Sequence, residues 1–291
     1  MIPVLHMAQT ECAVFGNHEF DFGIDNLAAF VKQTNFPWLM SNVIDKETNR
    51  PLGDGELFHI IERNGIRIGL IGIVEEEWLC TLATMSREDL IFLDYVDESR
   101  RLAKLLKEEH RCDIVVALTH MRWRNDIELA KRVDEIDLYL GGHDHDYASL
   151  EVNGKFVLKS GTDFREFSTI HLNVNLDTKK VDQVEIQKIE VTADKYTENE
   201  ALKSELDKYK TNMESRLDEV IGCFETPLEG RFAKVRTGET NLGNFVSDVI
   251  KASTKSDCVI LNSGTLRSDM VHERGPFKLR DLFRILPAQV W

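Results

Sequence analysis

Up to about residue 192, short β-branched runs alternate with stretches whose apolar residues recur every three or four positions. The runs at 13–15, 38–40, 66–74, 113–118 and 136–140 predict strands, and the periodic stretches at 24–33, 97–110 and 125–133 predict helices. Such alternation is the mark of α/β layers. From 150 to 191 the pattern becomes a meander. An Asn153-Gly154 turn is followed by Ile170, Leu172, Val174 and Leu176 on one face, which predicts antiparallel strands that complete a first domain over 1–192. Over 194–221, Leu202, Leu206, Tyr209, Met213, Leu217, Val220 and Ile221 step by three and four, so 193–222 reads as one linking helix closed by Gly222. Beyond it, "TNLGNFVSDVIKAST", "DCVILNSGTLRSD" and "GPFKLRDLFRIL" predict a helix, a strand with a polar loop, and a loop with a helix. This second unit, 223–291, ends before a complete core is expected.

Composition narrows the function classes. The 291 residues are 42% apolar and 30% charged, as in ordinary globular chains, and no apolar run reaches the length of a membrane span. "MIPVLHMAQTEC" has neither a cationic start nor a long apolar core, so no signal peptide is expected and a cytoplasmic location is favoured. A formal net charge of −14 argues against nonspecific contact with nucleic acid or anionic lipid. An acidic chain that binds phosphate needs metal ions or a local group of arginines. Five widely spaced cysteines without a CxxC predict buried reduced thiols.

Chemistry enters where strands end. "AVFGNHEFDFG" runs an apolar stretch into Asn17-His18, with Asp21 three residues on; "DIVVALTHM" runs one into His120; "IDLYLGGHDHD" runs one into His143 and His145. In open α/β sheets the carboxyl ends of strands form the ligand crevice, so these side chains are expected to converge. An isolated histidine in such a loop is usually a hydrogen-bonded surface group, and His6, His59, His110, His171 and His272 are read that way. Three strand ends bearing Asn or His point instead to metal chemistry, and imidazoles with an amide oxygen suit zinc, manganese, iron or nickel.

"GNHEFDFG", "SNV", "ALTHM" and "GGHDHDY" resemble the calcineurin-like metallophosphoesterases, and "ETNLGNFVSDVI", "LNSGTLRSD" and "GPFKLRDLFRILP" resemble the second domain of the 5'-nucleotidase family within them. The resemblance implies a metallophosphoesterase β-sandwich with flanking helices, plus an α/β C-terminal domain joined by a long helix. It implies two divalent ions, with Asn17, His120 and His143 on one and His145 on the other. His18 matches the histidine that stabilises charge on the phosphate and leaving oxygen, and Asp21 matches the carboxylate that hydrogen-bonds it and favours its charged form. Two cations about 3.5–4 Å apart would polarise the phosphate and activate a water for in-line attack. Asn262, Arg267 and Arg236 match substrate-facing residues, against the plainer reading of a turn with solvated arginines. Asn241 and Asn244 read as a helix cap and structural polar contacts.

The sequence departs from the family pattern at its start, where a strand with Asp-x-His and a later Gly-Asp would complete the first ion's shell. The expectation is a chain truncated at both ends that holds one ion weakly and has little activity alone. Three readings follow: a phosphoester hydrolase acting on nucleotides; a noncatalytic relative that binds a phosphate compound or protein partner; and a hydrolase of cyclic nucleotides, nucleotide-sugars or sugar phosphates.

Overall fold

Parallel strands buried on both faces require nearly continuous apolar sequence, which "IGLIGIV" and "IVVAL" supply. The computed structural model describes residues 2–82 and 84–287, without the side chains of 211–216. The chain divides into two compact units, Met1–Asn199 and Glu200–Trp291. The first begins with α1 (Ile2–Met7), β1 (Ala13–Val14), α2 (Ile24–Val31), β2 (Trp38–Leu39), β3 (Val43–Asp45), β4 (Arg50–Pro51), β5 (Phe58–Arg63) and β6 (Ile66–Val74). It continues through β7 (Leu90–Phe92), α3 (Tyr95–Glu108), β8 (Ile114–His120), α4 (Trp123–Arg132), β9 (Leu138–Gly141), β10 (Tyr147–Val152), β11 (Lys155–Ser160), β12 (Glu166–Val174) and β13 (Val181–Glu190).

The main sheet has the order β10-β11-β9-β8-β6-β5. Strands β11, β9, β8 and β6 run parallel, and β10 and β5 add antiparallel edges. Helix α3 starts where Asp94 Oδ1 accepts the Val96 and Asp97 amides at 2.9 and 3.0 Å. It lays Leu102, Ala103 and Leu106 with Ile71, Val115 and Tyr139 in a fully buried layer on one face of the sheet. Over the other face, Leu39, Leu70, Val116 and Leu138 meet Ile170, Leu172 and Val174 of the β12–β13 hairpin. Strands β1 and β2 pair in parallel, and Phe15 stacks on Trp38 with ring centroids 5.0 Å apart. Phe20 meets Trp78 edge-on at 5.4 Å. Burying each such ring is worth about 1.5–3 kcal/mol, so the loop between Phe15 and Phe20 is anchored at both ends.

In the second unit α5 spans Glu200–Leu217, followed by β14 (Val220–Phe224), β15 (Leu228–Glu229), α6 (Phe232–Val235), α7 (Asn241–Thr254), β16 (Val271–His272), β17 (Gly275–Lys278) and α8 (Leu279–Ile285). Its core holds Leu228, Val235, Leu242, Val246, Leu266, Phe277 and Ile285.

Several expectations are corrected. The helix expected over 193–222 spans Glu200–Leu217 and lies in the second unit, and Val220, Ile221 and Gly222 belong to β14, paired antiparallel with β17. Asp218, between the helix and β14, forms ion pairs with Lys278 at 2.9 Å and Arg280 at 2.8 Å. Leu206 and Tyr209 of the periodic stripe are exposed, and the Met213 side chain lies outside the described residues. The strand expected in "DCVIL" does not form: among the described residues that stretch pairs with no neighbouring strand, and Ile260 is 96% exposed. Leu176 falls past the end of β12 and is exposed. The cap of α7 is Thr240, whose Oγ1 accepts the Gly243 amide at 3.2 Å, while Asn241 bonds Glu229 N and Pro227 O, both at 2.8 Å, and Asn244 donates to Glu239. Of the cysteines only Cys112 is buried; Cys12 is half-buried and Cys80, Cys223 and Cys258 are exposed free thiols. Among the described residues no helix is long and apolar enough to cross a membrane.

Candidate metal centre

Strand register brings the candidate ligands together. His120 is the last residue of β8, and Thr119 pairs with Gly141 at the end of β9. The Gly142 amide donates to the Thr119 carbonyl at 2.7 Å, which pins the Gly142-His143 loop beside His120. His143 takes a left-handed backbone (φ 72°), a conformation that L side chains hold only when the surroundings impose it. Asn17 enters from the loop after β1 and is buried. His120 Nε2 stands 2.9 Å from Asn17 Oδ1 and 3.2 Å from His143 Nδ1, although the residues are 103 and 23 positions apart.

These edges can be tested against a coordination shell. Donors bound at 2.0–2.1 Å are separated by about 3.0 Å in octahedral and about 3.4 Å in tetrahedral geometry. The observed 2.9 and 3.2 Å fit a shared cation. Burial, helped by His143, His18 and Lys159, pushes the His120 imidazole down to about 3, and burial also lowers His143. Both rings are therefore neutral near pH 7, the form a metal requires. Among the described residues no group of three or more His, Cys, Asp or Glu side chains is placed to hold a metal ion, and the trio here consists of two imidazoles and one amide oxygen.

Close packing holds the set in place. Gly16 leaves room for the His120 ring: a Cβ there would lie 2.6 Å from His120 Cε1 and 2.9 Å from Glu19 Oε2. The Gly16 amide donates to Glu19 Oε2 at 2.6 Å, and burial raises the Glu19 carboxyl above its usual range. His18 caps none of these contacts; it faces outward, 59% exposed, with Nδ1 2.9 Å from Asp21 Oδ2. It borders an open cleft of about 560 Å³ shared with Glu19, Phe22, Asn26, Leu27 and Phe30. His145 is exposed and makes none of the contacts that join Asn17, His120 and His143.

The charged residues around the set escaped the sequence reading. Glu75, the residue after β6 and 1% exposed, accepts the Arg122 amide at 2.9 Å and the Asn125 amide group at 2.5 Å. Lys159 and Asp126 are fully buried and 2.8 Å apart. Burial, partly offset by Lys159, lifts the Asp126 carboxyl to about 6. A legible signal existed for Glu75, a carboxylate directly after an apolar strand; Lys159 and Asp126 read as ordinary surface charges.

In the second unit Asn262 Oδ1 accepts the Gly264 amide at 2.9 Å, capping a short turn. Arg267 Nη1 reaches the Gly264 carbonyl at 3.5 Å, and the Arg236 guanidinium lies 3.8 Å over the Phe232 ring.

Comparison with known proteins agrees with both halves. Residues 3–147 match the calcineurin-like phosphoesterase family, and residues 220–290 match the 5'-nucleotidase C-terminal domain. The chain belongs to the 5'-nucleotidase family of calcineurin-like phosphoesterases. This family chain is 26% identical to the trifunctional nucleotide phosphoesterase protein YfkN of Bacillus subtilis, over 98% of its own length and 22% of that protein's. It is 26% identical to the 5'-nucleotidase of Vibrio cholerae, over 95% of the chain and 58% of that protein. The crystal structure of a 5'-nucleotidase precursor from Thermus thermophilus superposes with a TM-score of 0.81 at 22% identity, covering 97% of the chain and 59% of that structure. The family chain thus spans between about a fifth and three-fifths of the relatives it matches, and it shares the fold of the superposed part of the Thermus structure.

Proposed function

We propose that the protein hydrolyses phosphoester bonds of nucleotides or related small phosphates at a divalent-metal centre. The observation that carries this reading is that His120 Nε2 stands at cis-ligand spacing from both Asn17 Oδ1 and His143 Nδ1. These three residues would hold one ion, and His145, two positions along the same loop, is assigned to the second ion of the family's plan. A bound divalent ion supplies Lewis-acid polarisation of a phosphoryl oxygen and a water activated near neutral pH. His18, oriented through Nδ1 by Asp21, offers its Nε2 proton to the phosphoryl or leaving-group oxygen. The open cleft beside His18 admits the organic part of the ester. In the second unit Arg236 and Arg267 are assigned to substrate; because Asn262 Oδ1 caps the turn, its contact would fall to the amide NH₂. The relatives named 5'-nucleotidase and nucleotide phosphoesterase support nucleotides as the substrate class.

The exposed position of His145, apart from the trio, favours a second reading: a one-ion chain that binds a phosphate compound without turning it over. Counting manganese, zinc or cobalt per chain while following phosphate release from AMP separates the two. Two ions with release support the hydrolase, one ion without release supports the binding protein, and no bound ion overturns the metal reading altogether.

A further inference from the structure

A single buried ammonium joins the two segments that carry His120 and His143. Lys159, on β11, has no exposed side-chain surface, and its Nζ lies 2.8 Å from Asp126 Oδ2 and 2.7 Å from Asp144 Oδ2. The ammonium donates to Asp144 Oδ2 and to the Met121 carbonyl, while Asp126 Oδ2 stands at ion-pair distance. Their places in the chain give the arrangement its meaning. Met121 follows His120, while Asp144 sits between His143 and His145. Asp126 Oδ1 accepts the Thr119 hydroxyl at 2.5 Å, one residue before His120, and Asp144 Oδ2 accepts the Trp123 amide at 2.8 Å. The lysine stem passes over Gly141, where a Cβ would stand 2.9 Å from Lys159 Cε.

A buried ammonium with two carboxylates is a poor way to stabilise a core, since apolar residues of the same volume usually do as well or better. What apolar residues cannot do is bond to both segments at once. We propose that Lys159, with Asp126 and Asp144, is a positioning clamp that sets the spacing between the His120 and His143 ligand atoms. The proposal rests on the metal reading above and adds to it residues that touch neither ion nor substrate.

The sign of one measurement separates positioning from simple charge. A positive group near a cation site opposes the cation, so if Lys159 acted only through its charge, removing it would tighten metal binding. As a clamp, its removal lets the two loops separate and weakens binding. The test is a Co²⁺ titration of the whole chain followed by visible absorption, for wild type, Lys159→Met, and Lys159→Met/Asp126→Asn. The double variant removes the ammonium and one buried carboxylate together, so the core is left without net charge change; circular dichroism checks folding of each. Expected is a Kd for Co²⁺ raised about 10- to 100-fold, as for other residues that orient metal ligands, with an altered cobalt absorption band. Variants that bind cobalt as tightly as wild type or tighter, with the same band, overturn the clamp alone. Wild type that binds no cobalt overturns the metal reading and the clamp with it. If Lys159→Met does not fold, the double variant decides by the same titration.

Discussion

The two units place their candidate residues by different means. In the first, Asn17, His120 and His143 come from three strand ends and meet because β8 and β9 are in register and β1 lies beside them. In the second, the side chains of Asn262, Arg267 and Arg236 make the contacts described above within a few residues of themselves, on turns and a short helix. A site assembled by long-range packing is buried, desolvated and intolerant of small displacements; one built from local turns is exposed and forgiving. Substitutions in the two units should therefore differ in size and in kind.

The largest effects are expected at the strand ends. His143→Ala removes a donor from a set of three and should strip the bound metal and lower phosphate release by at least about 100-fold. His18→Asn should leave metal content unchanged and lower kcat by about 100- to 1,000-fold, the usual cost of one lost charge-stabilising donor. Metal content measured by emission spectroscopy, beside kinetics, checks both. If the variants lose only thermal stability, the roles assigned to His18 and His143 are wrong.

A matched pair of glycines sharpens the contrast. Gly16→Ala forces a methyl to 2.6 Å from the His120 ring and should destabilise the fold by about 1–3 kcal/mol while weakening metal binding. Gly238→Ala, two residues from Arg236 with nothing within 4 Å of the added carbon, should change stability by no more than about 0.5 kcal/mol. Denaturant melts of the two variants read the difference. Equal losses would mean that packing around His120 is looser than the distances say.

The same difference governs what could be read in advance. Helix α3 and strand β6 were legible because continuous apolar runs and three-four periodicity act locally. Asn17, His120 and His143 were legible as a group because each follows such a run. The end of α5 was not, since Val220 and Ile221 continue its apolar step and only pairing with β17 assigns them to a strand. The "DCVIL" stretch fails in the opposite sense: β-rich composition makes a strand only with a neighbour to bond. Lys159 and Asp126 were invisible because a charge reads as surface until the partner that lets it be buried is known.

Acid should act on the first unit through its buried imidazoles. His120 is held down to about 3 and His143 is lowered in the same direction, so the unfolded chain binds protons that the folded chain refuses. Stability is then full above about pH 6.5 and falls as pH drops from there towards 3. Asp126, raised to about 6, has the opposite sign: its protonation favours the folded state and offsets part of the loss below pH 6. His272 in the second unit is also lowered by burial, so the reporter must be local. Tryptophan fluorescence in a Trp291→Phe background reads Trp38, Trp78 and Trp123, all in the first unit. The metal-free chain should melt several degrees lower at pH 5.5 than at pH 7, and His120→Asn should flatten that slope. A melting temperature that rises on acidification would contradict the sign.

The smallest effects belong to the second unit. Asn262→Ala removes the bond from Oδ1 to the Gly264 amide, worth about 0.5–1.5 kcal/mol for an exposed turn, and nothing beyond the turn depends on it. If Asn262 also contacts substrate, KM for AMP rises while kcat stays within a factor of two, because the contact would be made equally in ground and transition states. Arg267→Ala, which loses only a 3.5 Å contact to the Gly264 carbonyl within the fold, should leave stability unchanged and raise KM alone. The pair thus divides turn-making from substrate-holding. A stability loss at Asn262 without a KM change at either residue would leave both as parts of a local turn. A KM change at both would give the exposed unit its own share in recognition, independent of the buried trio.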